Sequence, residues 1–143
     1  DIHMKDVEIL LRGFAMLTTH ATHSPSMTKF LSVFFNSARD FLPEKLNLLK
    51  NIFVGFVSMM RTLDCRDVFY TSQNRFNISI FESVFTALCE DAYNKGDVNN
   101  IRETTIDKLQ QLKNNYDFSK ASLVGTASTA NVQTRLQKAI DIL

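Results

Sequence analysis

An all-α fold, a single compact bundle of about six helices around one central apolar helix, is what this sequence predicts. Three observations carry that expectation. Twelve Phe, no Trp, four Gly and two Pro describe a chain with bulky core fillers and few turn-makers, which favours helices over a sandwich of short strands. Apolar residues recur at helical spacing through most of the chain. The stretch RFNISIFESVFTALCEDAY, Arg75 to Tyr93, is apolar on nearly every side. Phe81, Val84, Phe85, Leu88 and Ala92 form its stripe, and Ile78, Ile80, Cys89 and Tyr93 widen it almost to a collar, as expected of a helix at the centre of a bundle.

The elements follow in order. Val7, Leu10, Leu11, Phe14 and Leu17 give a first helix from Lys5 to about Ala21. Asp1 to Met4, DIHM, reads as an expression-tag scar, which leaves 5–143 as a single helical domain and suggests the C-terminal part of a longer protein. Ser24 and Pro25 break the first helix. Ser26 can cap a second, in which Met27, Phe30, Leu31, Phe34, Phe35, Ala38 and Phe41 keep the helical spacing. Pro43 suits the first turn of a third helix, where its missing N–H costs nothing. Leu46, Leu49, Phe53, Phe56, Met60 and Leu63 then form a narrow seam, with Gly55 marking a close crossing.

Asp64 to Asn74 interrupts the period. Val68, Phe69 and Tyr70 are compatible with a short extended piece in what is otherwise the expected functional loop, with Arg66, Asn74 and Asn77 as its candidate residues. Ser79 and Glu82 have the spacing of a capping box for the central helix, Asn77 is a competing cap, and Gly96 ends the helix. Asp97 can cap a fifth helix carrying Val98, Ile101, Thr105, Leu109, Leu112 and Tyr116. A mixed segment around Gly125 leads to a last helix with Val132, Leu136, Ala139, Ile140 and Leu143.

Charge and motif content narrow the chemistry. Sixteen Lys and Arg against fifteen Asp and Glu leave a formal charge of +1, so any nucleic-acid contact has to come from a local patch. Cys65 and Cys89 have no metal-ligand spacing and suit a reducing cytoplasm, and neither a transmembrane run nor a signal peptide is expected. Glycine-rich phosphate loops and the G-x-S-x-G nucleophile turn are missing, and Glu90 and Asp91 are neighbours that point about 100° apart. No catalytic residue and no cofactor is therefore expected. His20 and His23 are three apart, a spacing at which imidazoles can share a metal, but no companion ligand is spaced to join them. The pair reads better as solvent-exposed at a helix end, and no metal is expected. Among the cations, Arg75 precedes the central helix, where it could meet a phosphate or pair with Glu8, Asp67 or Glu82.

Four segments together carry a family resemblance: VEILLRGFAML at Val7 to Leu17, MTKFLSVFF at Met27 to Phe35, VFYTSQNRFNISIFESVFTAL at Val68 to Leu88, and GTASTANVQTRLQKAIDIL at Gly125 to Leu143. They resemble the C-terminal helical region of the bacterial domain of unknown function 262 family, ParB/sulfiredoxin-like proteins that include GmrS-type restriction and phage-defence proteins. The D-G-Q-Q-R motif of that family's N-terminal domain does not occur in this chain. The resemblance implies a non-enzymatic helical companion that positions DNA, or senses its modification, for a catalytic domain outside this sequence. Arg12, Lys29, Arg75 and Arg135 are then the candidate DNA contacts. The alternative is a protein interaction or dimerisation module that docks an N-terminal domain or another subunit through an exposed apolar patch.

Overall fold

A computed structural model describes residues 4–23 and 26–143, and these form eight α-helices and two 3-10 turns with no strand among them. Asp1 to His3, within the stretch expected to be a tag scar, and the expected break at Ser24 and Pro25 lie outside the described residues. Helix α1, Met4–Thr19, runs into a 3-10 turn at His20–Thr22. Helix α2, Met27–Ala38, is capped by Ser26, whose Oγ accepts the Lys29 backbone N–H at 3.3 Å. Helix α3, Pro43–Leu63, opens on Pro43 and stops where Asp64 takes a left-handed conformation with φ 50°. Both boundaries agree with the local signals for helix starts.

The central helix is α5, Ile78–Lys95. Every residue from Ser79 to Cys89 is buried, and α1, α3 and α8 (Thr129–Ile142) pack around it. Its aromatic side chains knit the neighbours together. Phe85 meets Phe56 of α3 edge-on at 5.1 Å and Phe14 of α1 at 6.2 Å, and stacks on Phe81 at 5.6 Å. Edge-to-face pairs of this kind contribute about 0.5–1.5 kcal/mol beyond area burial. A smaller core of Ala15, Met16, Phe30, Phe34 and Val132 holds α2 against α1 and α8.

The central helix does not begin with the Ser79–Glu82 capping box. Asn77 is the cap: its Oδ1 accepts the Ile80 N–H at 3.2 Å, and its own N–H donates to Phe69 O at 2.8 Å, which holds Asn77 extended. Ser79 and Glu82 are buried inside the helix. The expected loop holds more structure than its composition suggests. Arg66–Phe69 forms a short helix, α4, burying Val68 and Phe69, and Tyr70 bridges Phe76 across a tight hairpin. No extended piece runs through Val68 and Phe69.

The expected fifth helix is broken twice. Asp97 caps only a 3-10 turn, Val98–Asn100, and the chain is then extended until Thr105 caps α6, Ile106–Lys113. Tyr116 belongs to a separate helix, α7, Tyr116–Ala121, capped by Asn115. Gly55 does mark a close approach, but the neighbour is not a helix: a Cβ there would lie 2.9 Å from Ile101 Cδ1.

Candidate functional site

The hairpin owes its shape to local bonds. Thr71 N–H donates to Arg75 O at 2.8 Å, Asn74 N–H returns to Thr71 O at 2.9 Å, and Asn74 turns the chain at φ 59°, a conformation that Asn tolerates better than most residues. Arg66 lies with its guanidinium 4.1 Å from the Tyr70 ring centroid and donates to Asn74 Oδ1 at 3.3 Å. From the far side, Lys113 of α6 donates its ammonium to Asp67 O at 2.5 Å and Tyr70 O at 3.3 Å. The wall carrying Tyr70 is thereby fastened to the bundle.

Between this wall, the start of α1 and the second half of α3 lies a groove of about 860 Å3. Its depth is apolar, with Phe56, Phe69 and Phe81 buried and Phe53, Tyr70 and Phe76 half-buried. Its rim is charged: Lys5, Arg61, Arg66 and Arg75 are exposed along it, together with Asp6 and Asp64. None of those four cations is in an ion pair with a carboxylate among the described residues. Cys65 also lines the groove, but burial pushes its thiol up, against the pull of a hydrogen bond to the sulfur from its own backbone N–H, which disfavours the nucleophilic thiolate. Cys89, inside the core, is pushed up to about 12 by burial. An aromatic floor under unpaired cations can stack a planar group and hold an anion beside it.

A second polar cluster lies largely inside the bundle. Glu82 of α5, 1% exposed, is in ion-paired contact with Arg12 of α1. Burial pushes its carboxyl above the usual carboxylate range, while Arg12 and then Arg135 pull it down. Arg135 is equally buried, and its two terminal nitrogens donate to Ala121 O at 2.6 Å and Thr126 O at 2.7 Å. It clamps the end of α7 and the loop before α8. His23 packs its ring 5.1 Å from Phe30, and its pKa is lowered by burial and then by Arg135 and Arg12. Glu82 Oε2, both His23 ring nitrogens and Thr86 Oγ1 have no hydrogen-bond partner there.

The sequence candidates thus divide. Arg66, Asn74 and Arg75 come together at the groove. Arg12 and Arg135 are turned inward and engaged, so neither guanidinium is presented to a phosphate. Glu82, one of the partners expected for Arg75, is taken by Arg12 instead. Lys29 is exposed on α2, which does not contribute to the groove. Asn77 is a structural cap. His20 and His23 do not face one another as an exposed pair: His20 Nε2 lies 2.7 Å from Glu90 Oε1, and His23 is buried. No group of three or more metal-capable side chains assembles among the described residues. Lys5 and Arg61 were not among the sequence candidates. Their signal was helical register, since Lys5 precedes Ile9 by four and Arg61 follows Val57 by four, on faces that carry groove residues.

No family model, curated protein or solved structure matches this chain. Among the described residues no helix is long and apolar enough to cross a membrane.

Proposed function

We propose that this chain is a helical accessory module of a bacterial DNA-defence protein, contacting DNA through the groove and positioning it for a catalytic domain elsewhere. The observation that carries the reading is the convergence of Lys5, Arg61, Arg66 and Arg75, exposed and without carboxylate partners, around one aromatic-lined groove. On a chain with a formal charge of only +1, such a cluster is the local patch that backbone contact requires. The resemblance of the four sequence segments supports the same reading. The module itself is non-enzymatic in this account, its role being to hold or sense DNA during restriction of phage or other foreign DNA. Two buried, unbridged cysteines fit work in the cytoplasm.

The test is a titration against fluorescently labelled duplex, with and without modified bases, over a series of salt concentrations. Binding should weaken steeply with salt, and replacing both Arg66 and Arg75 by Ala should flatten the log–log salt slope by about 2, the counterions of two phosphate contacts. A complete lack of binding at low salt would remove the DNA role.

A second reading is supported by a different surface. Phe35 at the end of α2 and Leu42 and Leu46 at the start of α3 are 53%, 69% and 50% exposed. Apolar side chains left in water near one helix junction suit a protein partner, either a catalytic domain or another subunit. Salt-tolerant self-association in sedimentation, lost in Phe35→Ser with Leu42→Ser, would favour it.

A further inference from the structure

The groove combines features that a duplex cannot use at once. Its cations stand on the rim, whereas its aromatic surface lies below them, so a ligand that fills the site must carry an anionic group joined to a flat group able to descend past it. Bases inside a duplex are stacked and closed to such a surface; a nucleotide in a single strand or swung out of a helix is not. A volume of about 860 Å3 is within the range of sites that enclose a small molecule. The three half-buried rings, Phe53, Tyr70 and Phe76, are the ones with surface to offer. Tyr70 and Phe76 stand edge to face at 5.6 Å, and Lys113 fixes the Tyr70 backbone, so this face exists before any ligand arrives. The Arg66 guanidinium sits over one face of Tyr70 and is tethered to Asn74, leaving the other face of that ring for a base, while the Arg75 backbone N–H donates to Thr71 Oγ1 at 3.2 Å within the hairpin.

We propose that the groove receives one unpaired DNA nucleotide, its base against the Tyr70 and Phe76 rings and its flanking phosphates at Arg66 and Arg75. This rests on the DNA-contact reading and narrows it: the rim holds backbone, and the floor selects strands in which a base is free. Asp6 and Asp64 also line the groove, beside Lys5 and between Arg61 and Arg66 in the chain, and limit how much phosphate it tolerates, which favours a single nucleotide over a long track.

Three labelled DNAs of one sequence separate the possibilities by fluorescence anisotropy at low salt: a short single strand, a blunt duplex, and a duplex with one bulged nucleotide. Each is titrated with the intact chain and with Tyr70→Ala and Tyr70→Leu, the leucine keeping apolar bulk without a ring. Circular dichroism confirms that each variant is folded. The expected result is that the single strand and the bulged duplex bind about tenfold tighter than the blunt duplex, the effect of one stacked base, and that both substitutions erase the preference. Equal, salt-sensitive binding of all three DNAs would overturn the unpaired nucleotide and leave backbone contact standing. A preference that survives in folded Tyr70→Leu would overturn the assignment to this groove. Failure of all three DNAs to bind would remove both readings together.

Discussion

On folding, His23 leaves water and gains Arg135 and Arg12 as neighbours, so the folded chain binds a proton at this ring less readily than the unfolded one. Its contribution to stability is complete above the unfolded value of 6.5 and is lost as pH falls from there through the lower folded value. Glu82 has the opposite sign. Its raised carboxyl takes up a proton first in the folded state, so its contribution grows as pH falls towards 4.5. A His23→Phe substitution isolates the first effect: the melting temperature of the variant relative to the parent should rise between about pH 7 and pH 5.5, where an ordinary histidine titrates. A constant difference across that range would mean that His23 is not held neutral. Two glycines give a second test. A Cβ on Gly13 would meet Phe81 Cε1 at 3.0 Å and Phe85 Cδ2 at 3.3 Å, and these rings are stacked on one another with Phe56 edge-on to both, so neither can yield easily. Gly13→Ala should cost about 1–3 kcal/mol, the range for overpacking a filled core. At Gly55 the obstacle is the far end of the Ile101 side chain, which can rotate away, so Gly55→Ala should be neutral or gain up to about 1 kcal/mol of helix propensity. Urea titration of the two variants decides it.

At the scale of elements, the signals that carried were those in which a local cap and an apolar period agreed. Ser26 and Pro43 are such cases, and α2 and α3 begin where they point. Around Thr105 the two signals conflict. The spacing Ile101, Thr105, Leu109 and Leu112 is helical, yet Thr105 accepts the Lys108 N–H and starts a new helix. The choice is made from a distance: Arg102 N–H donates to Leu88 O at 2.8 Å, and its guanidinium reaches Leu143 O at 2.6 Å, which pulls the preceding segment straight along the bundle. The second of those bonds spans 41 residues, beyond any window in which periodicity is read. The start of α5 was legible in kind but ambiguous in residue, because Asn77 and Ser79 are both good caps. What separates them is the bond from Asn77 N–H to Phe69 O. Asn77→Ala should therefore cost about 1 kcal/mol, the usual value for a lost cap, whereas Ser79→Ala should stay within about 0.5 kcal/mol. The reverse order in chemical denaturation would restore the capping box.

For the whole molecule, the apolar collar of α5 predicted both the fold class and the element that the others surround. The groove was only half visible. Arg66, Asn74 and Arg75 fall in one interrupted stretch and could be read together, while Lys5 and Arg61 join them only because α1 and α3 both pack on α5 and both line the groove. The inward turn of Arg12 and Arg135 was hidden for the same reason. A lone arginine on an amphipathic helix looks alike whether it faces water or Glu82, and the partner lies seventy residues from Arg12 along the chain.

The Lys113 bond has a further consequence, in the time domain. The hairpin's own bonds, Thr71 N–H to Arg75 O and Asn77 N–H to Phe69 O, could open and reclose as a local unit without disturbing the bundle. An ammonium ion 46 residues from Asp67 along the chain opposes that opening. In Lys113→Met, amide hydrogen exchange at Thr71 and Asn77 should quicken about tenfold, the loss of some 1.4 kcal/mol of local protection, with the slowest amides of α5 unchanged. Exchange that quickened everywhere would show instead that the hairpin and the bundle unfold as one. Neutralising that single ammonium is thus a way to set how often the groove's outer wall lets go, independently of how stable the protein is.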